Sequence, residues 1–124
     1  MAFEWREWCK QKRFPCSQDE VEIRLGTGRS QRVRVEDRTD CLLLTSVVTK
    51  QASTAQMENP SIEAWKRNRA VSLAGFRIDE KGRLVAHSWV PKAGLTSDEF
   101  GLVLEHLASE CDRFEFQLTG QDRE

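Results

Sequence analysis

Leu73-Ala74-Gly75-Phe76-Arg77-Ile78-Asp79-Glu80-Lys81-Gly82-Arg83-Leu84-Val85-Ala86-His87-Ser88-Trp89-Val90-Pro91, continued by Gly94-Leu95-Thr96-Ser97-Asp98-Glu99-Phe100, decides the fold. Ala74, Phe76 and Ile78 share one face of a strand over residues 73–79. Over 83–90, Leu84, Ala86, Ser88 and Val90 alternate with Val85, His87 and Trp89, the period of a second strand. Asp79-Glu80-Lys81-Gly82 predicts the tight turn between them, with Gly82 in the left-handed position, and Pro91 ends the second strand. Thr96 is placed to cap a helix, Glu99 to reach back to the Thr96 amide, and Leu95 to pack on Phe100: a capping box with a hydrophobic staple. The helix starts at Ser97 and spaces Phe100, Leu104, Leu107, Cys111, Phe114 and Leu118 by alternating fours and threes. Val103 and Ala108 widen that seam, and Gly120 stops it. The competing sixth strand through Phe114, Phe116 and Leu118 leaves Leu107 and Cys111 unexplained, so the helix is preferred.

Upstream, the same periods recur. Val21, Ile23 and Leu25 alternate with charged residues over 20–25, and Val33 and Val35 alternate with Arg32, Arg34 and Glu36 over 31–36. Gly26-Thr27-Gly28 supplies the hairpin turn. Glu22 and Arg24 are expected to pair across it with Arg32 or Arg34. Cys41-Leu42-Leu43-Leu44, in a strand over 41–48, lacks alternation, which predicts burial on both faces at the sheet centre. Residues 2–13 read as a helix with Trp5, Trp8, Cys9 and Lys12 on one stripe, docking it on the sheet, and Pro15 ends it. Residues 50–59 form a long polar loop. Asn59-Pro60-Ser61 opens a second helix carrying Ile62 and Trp65. The cluster Lys66, Arg67 and Arg69 suits that helix's C-terminal dipole.

The 124 residues suit one domain spanning 1–124, long enough to build a core without metal or disulfide staples. Net charge is -1, from 19 basic and 20 acidic residues, which argues against a global attraction to nucleic acid or an anionic membrane. No apolar run suits a signal peptide or a membrane span, and a cytoplasmic location is expected. Cys9, Cys16, Cys41 and Cys111 form no C-x-x-C pair and stand far from His87 and His106 in sequence, so reduced thiols and no metal site are expected.

Little in the chain points to catalysis. Gly26-x-Gly28 lacks the rest of a nucleotide fingerprint, and no Gly-x-Ser-x-Gly elbow occurs. His87 could meet Cys41 or Cys16 in space as a thiol–imidazole pair. His106 is expected to face outward. No carboxylate stands in an otherwise apolar run where burial would raise its pKa. No cofactor is expected.

Asn68, Leu73-Ala74-Gly75-Phe76-x-Ile78-Asp79, the Gly82 turn, Leu84-Val85 and Gly94-Leu95-Thr96-x-x-x-Phe100 together resemble the YbjN-like group, whose fold is that of the type III secretion chaperones. The resemblance implies an α+β fold in the order α-β-β-β-α-β-β-α, a twisted antiparallel sheet of about five strands with helices packed on it. It also implies a homodimer that holds a client peptide or protein without enzymatic activity. The dimer surface is expected on the last helix, or on the second helix with the fifth strand. Trp65, Trp89, Arg32 and Arg34 are the candidate client contacts. The alternative is a small-ligand or enzyme pocket between the first helix and the sheet, lined by Trp5, Trp8, Cys9 and Cys41. A third reading, a nucleic-acid module using Arg24, Arg32 and Arg34, is disfavoured by the near-neutral charge.

Overall fold

The computed structural model describes residues 5–26, 28–49 and 75–119. The chain runs α1 (Trp5–Gln11), β1 (Cys16–Ser17), β2 (Glu20–Arg24), β3 (Ser30–Asp37), β4 (Cys41–Thr49), β5 (Gly75–Ile78), β6 (Leu84–Pro91) and α2 (Ser97–Thr119). The expected second helix, the polar loop at 50–59 and Trp65 lie outside the described residues. The strands form one antiparallel sheet in the order β1-β2-β3-β4-β6-β5. The class is the α+β expected, with six strands rather than about five. The extra strand is two-residue β1, too short to leave an alternation in the sequence. The last helix runs to Thr119, so residues 112–119 are helix and the sixth-strand alternative falls.

The local signals fold as their chemistry requires. At the β5–β6 turn, Gly82 has φ 74° and its amide donates to the Asp79 carbonyl at 3.0 Å. Asp79 Oδ1 accepts from the amides of Lys81 at 3.0 Å and Arg83 at 2.8 Å. Burial alone would raise the Asp79 carboxyl, but these bonds and the Arg83 guanidinium hold it below its ordinary value. At the start of α2, the Glu99 amide donates to Thr96 Oγ1 at 3.2 Å and the Thr96 amide to Glu99 Oε1 at 3.3 Å. Helix α1 ends at Gln11, two residues before the end expected at 13. Its end is a left-handed Arg13 at φ 61°, with the Phe14 amide reaching the Cys9 carbonyl at 2.9 Å.

Both helices cover one sheet face. Val21, Ile23, Val33, Val35, Leu42, Leu44, Leu84, Ala86 and Val90 point into it and meet Phe100, Leu104, Leu107, Ala108, Cys111 and Phe114 of α2. Phe76 stands edge-on to Phe114, centroids 4.8 Å apart. The indoles of α1 pack into this core and also meet α2. Trp5 and Trp8 lie 6.3 and 5.5 Å from the Phe100 ring. Lys12 lays its stem on Gly101 and bonds Asp98. β4 occupies the sheet interior, with Leu42, Leu43 and Leu44 all buried, as the missing alternation predicts.

One part of this interface was not foreseen. Gln31, Ser46, Asp112 and Glu115 are buried polar groups between the sheet and α2. Gln31 Nε2 donates to Asp112 Oδ1 at 3.4 Å and Glu115 Oε1 at 3.3 Å. Arg29 grips Asp112 with both Nε and Nη2, the shortest contact being 2.6 Å. Neither of these two buried carboxylates is named by the sequence reading. The signal was present: Asp112 follows Ala108 by four residues, and Glu115 follows Cys111 by four, which puts both on the widened seam.

Candidate functional site

The strand residues that do not enter the core share the opposite face. Because the strands pair in register, their side chains fall in rows across the sheet. Glu22 is opposite Arg32, Val47 is opposite Val85, and Val85 is opposite Arg77. The register of Arg34 with Thr45, carried two residues on, sets Arg32 beside Val47. One row therefore reads Glu22, Arg32, Val47, Val85, Arg77. The next reads Glu20, Arg34, Thr45, His87, Gly75, and the third sets Glu36 beside Leu43 and Trp89.

These rows enclose an open groove of about 850 Å³. Leu43, Thr45 and Val47 of β4 form its floor, Arg32 and Arg34 one wall, and Arg77 and Arg83 the other. Most of the charge is already neutralised. Arg34 Nε donates to Asp19 at 3.1 Å, Arg38 Nε to Glu36 at 2.5 Å, and Arg83 binds Asp79 at 2.8 Å. Glu22 pairs along its own strand with Arg24 at 3.5 Å rather than across the hairpin with Arg32 or Arg34 as expected. Among the described residues, Arg32 and Arg77 have no carboxylate partner.

Of the four predicted contact residues, the structure gathers three on this face. Arg32 and Arg34 stand on the same wall. Trp89 is 54% exposed, an unusual state for an indole, with the Arg38 guanidinium 4.8 Å from its ring centroid. Trp65 lies outside the described residues. The residues sequence reasoning passed over are Arg77 and the floor of β4. They become partners of Arg32 only through the order β3-β4-β6-β5, which strand periodicity does not contain.

His87 occupies the middle row. Its ring lies over Gly75, where an added Cβ would stand 2.9 Å from Nε2, so a glycine is needed there. Nδ1 is buried and has no hydrogen-bond partner. Burial, reinforced by the Arg77 charge, holds the imidazole below its ordinary value of 6.5. The thiol–imidazole pairing does not form. Cys41 is on the same face but faces Pro91, four residues of strand from the row of His87, roughly 13 Å. Cys16 is on β1, at the far edge of the sheet. Cys9 is buried in the core, and burial, with Cys16 close by, pushes its thiol up to about 12, which removes it as a nucleophile.

The alternative pocket between α1 and the sheet is not assembled. Trp5 and Cys9 are closed into the core, and Cys41, alternating with buried Leu42, is on the other face of the sheet. Among the described residues no group of three or more His, Cys, Asp or Glu is placed to hold a metal ion, and no helix is long and apolar enough to cross a membrane.

No protein-family model and no curated protein sequence matches the chain. Solved structures do match in shape. YbjN from E. coli superposes with a TM-score of 0.68 at 10% identity, covering 93% of this chain and 88% of that one. A chain of the heterodimeric ExoU–SpcU complex from the type III secretion system of Pseudomonas aeruginosa superposes with a TM-score of 0.64 at 18% identity, covering 93% and 98%. At these identities the likeness is one of fold: the chain has the YbjN-like, type III secretion chaperone-like fold that its hairpin and capped helix point to.

Proposed function

We propose that this protein is a non-enzymatic peptide- or protein-binding module that holds a segment of a partner on the open face of its sheet. The observation that carries the reading is the groove along β4: an apolar floor flanked by arginines, ending beside an exposed tryptophan, with no nucleophile–base pair among the described residues around it. Thr45, Val47 and Trp89 give a bound segment apolar surface, with Leu43 buried beneath, and the arginines give it polar anchors. The fold supports the same reading, since one structure that shares it is a complex from a secretion system.

The chain is proposed to work as a homodimer in the cytoplasm. Leu102 and Phe116, 61% and 48% exposed, lie fourteen residues apart on the outer side of α2, about 40° apart around the helix, and offer a second copy an apolar contact. All four cysteines are free thiols, as a reducing compartment requires.

Panning a random dodecapeptide library against the protein tests the binding reading. Enriched peptides are expected to bind the wild type and to lose about tenfold or more in affinity on Trp89→Ala. A library that yields no binder, or binders indifferent to Trp89→Ala and to groove substitutions, contradicts it. Light scattering over a dilution series tests the dimer: a mass that halves only well below micromolar concentration supports it, and a strict monomer removes it.

A further inference from the structure

Building on the peptide-binding reading, we propose that the groove selects an extended acidic segment, with a large apolar residue against Leu43 and Trp89 and one or two carboxylates, about four residues away, held between Arg32 and Arg77. Three observations carry this. First, the arginines of the open face divide into two groups. Arg34, Arg38 and Arg83 are satisfied by Asp19, Glu36 and Asp79, whereas Arg32 and Arg77 have no carboxylate partner among the described residues. Second, these two belong to one row, with Val47 and Val85 between them and Glu22 beyond Arg32. Three strand spacings separate their backbones, roughly 14 Å, a gap two guanidinium arms can close onto a carboxylate lying over half-buried Val47, Val85 being fully buried. Third, Trp89 faces Leu43 across the β4–β6 pair, four residues along the strand from that row, or roughly 13 Å. An extended chain covers that distance in about four residues.

The chemistry favours carboxylates over other anions of the same charge density. The two guanidinium groups approach from opposite walls of a narrow groove, which suits a short side chain projecting from an extended backbone. The floor offers methyl groups, and among the described residues Trp89 is the one exposed ring beside it, which is no run of aromatic faces on which a polynucleotide could stack its bases. On this face Asp19, Glu36 and Asp79 are engaged by Arg34, Arg38 and Arg83, and Glu22, which lies opposite Arg32, pairs with Arg24.

The test is fluorescence anisotropy with three labelled nonapeptides that differ at one place. Each carries a leucine followed, four residues on, by Glu-Glu, Gln-Gln or Lys-Lys. An oligothymidine of equal length is the fourth probe. The Glu-Glu peptide is expected to bind about tenfold tighter than the Gln-Gln peptide, and the Lys-Lys peptide more weakly than both. The double variant Arg32→Gln, Arg77→Gln is expected to erase the preference while its melting curve stays that of the wild type. Arg24→Gln, outside the groove, is expected to keep it. The charge reversal Arg32→Glu, Arg77→Glu is expected to turn the preference toward the Lys-Lys peptide. Equal binding of the Glu-Glu and Gln-Gln peptides, or a preference that survives the double variant, overturns this inference and leaves the peptide-binding reading standing. Tighter binding of oligothymidine than of the Glu-Glu peptide also overturns it, in favour of a single-stranded polynucleotide. Failure of every peptide to bind overturns both readings.

Discussion

The two faces of the sheet use the same strands for opposite ends. The face under α1 and α2 is closed: Trp5, Phe100, Leu104 and Leu107 fill it, and its few polar groups, Gln31, Asp112 and Glu115, find partners inside. The other face keeps an open groove, an exposed Trp89 and two arginines without carboxylate partners among the described residues. Each strand alternates between the two, so one sequence period writes both surfaces. The difference teaches that stability and recognition are separable in this fold. Substitutions on the closed face should change folding, and those of the exposed open-face residues Arg32, Arg77 and Trp89 should change binding.

The largest effect is expected on the closed face. Phe100→Ala removes the ring on which both indoles of α1 lie, and should cost about 3–5 kcal/mol in urea unfolding. A cost below about 1 kcal/mol would show that α1 does not dock there. Asp112→Ala should follow, at about 2 kcal/mol, because it strands Arg29 and Gln31. Asp112→Asn, which keeps an acceptor, should cost less. If both are neutral, the polar interface is not part of the closed face's stability.

Gly75→Ala tests the buried middle row of the open face. Its methyl would press on the His87 ring, and a loss of about 1 kcal/mol is expected. His87→Ala in the same chain should recover most of that loss, and additive effects in the double-mutant cycle would contradict the contact. Trp89→Ala should change stability by no more than about 0.5 kcal/mol. A larger loss would make the indole a structural element and weaken its role in binding.

The smallest effect is in pH. His87 has a folded value below its ordinary 6.5, so the unfolded chain takes up its proton first as pH falls. The stability present above 6.5 therefore declines as pH drops from 6.5 toward the lowered folded value. Melting curves of the wild type and His87→Gln should converge below that window and separate above it. An identical pH profile would show that the imidazole is solvated.

Much of the closed face was legible in the sequence, because burial leaves a period. The Phe100–Phe114 seam, the strand alternations, the unalternating Leu42-Leu43-Leu44 and the Thr96–Glu99 cap all fold as their spacing dictates. The buried carboxylates of α2 were not recognised, since a charged residue on the seam reads as solvent-facing until a partner such as Gln31 is brought to it by β3. The open face was legible only in part. Trp89, Arg32 and Arg34 could be named from alternation, but the row joining Arg32 to Arg77 depends on β6 lying between β4 and β5. That arrangement is a property of the topology, and no local spacing encodes it.

The most direct test of the account is amide chemical-shift mapping of the isotope-labelled protein titrated with the Glu-Glu nonapeptide. The account predicts shifts concentrated at residues 32–34, 43–47, 77 and 85–89, with the outer side of α2 unmoved. Shifts centred on Leu102 through Phe116, or a titration that moves no resonance of the open face, would contradict it.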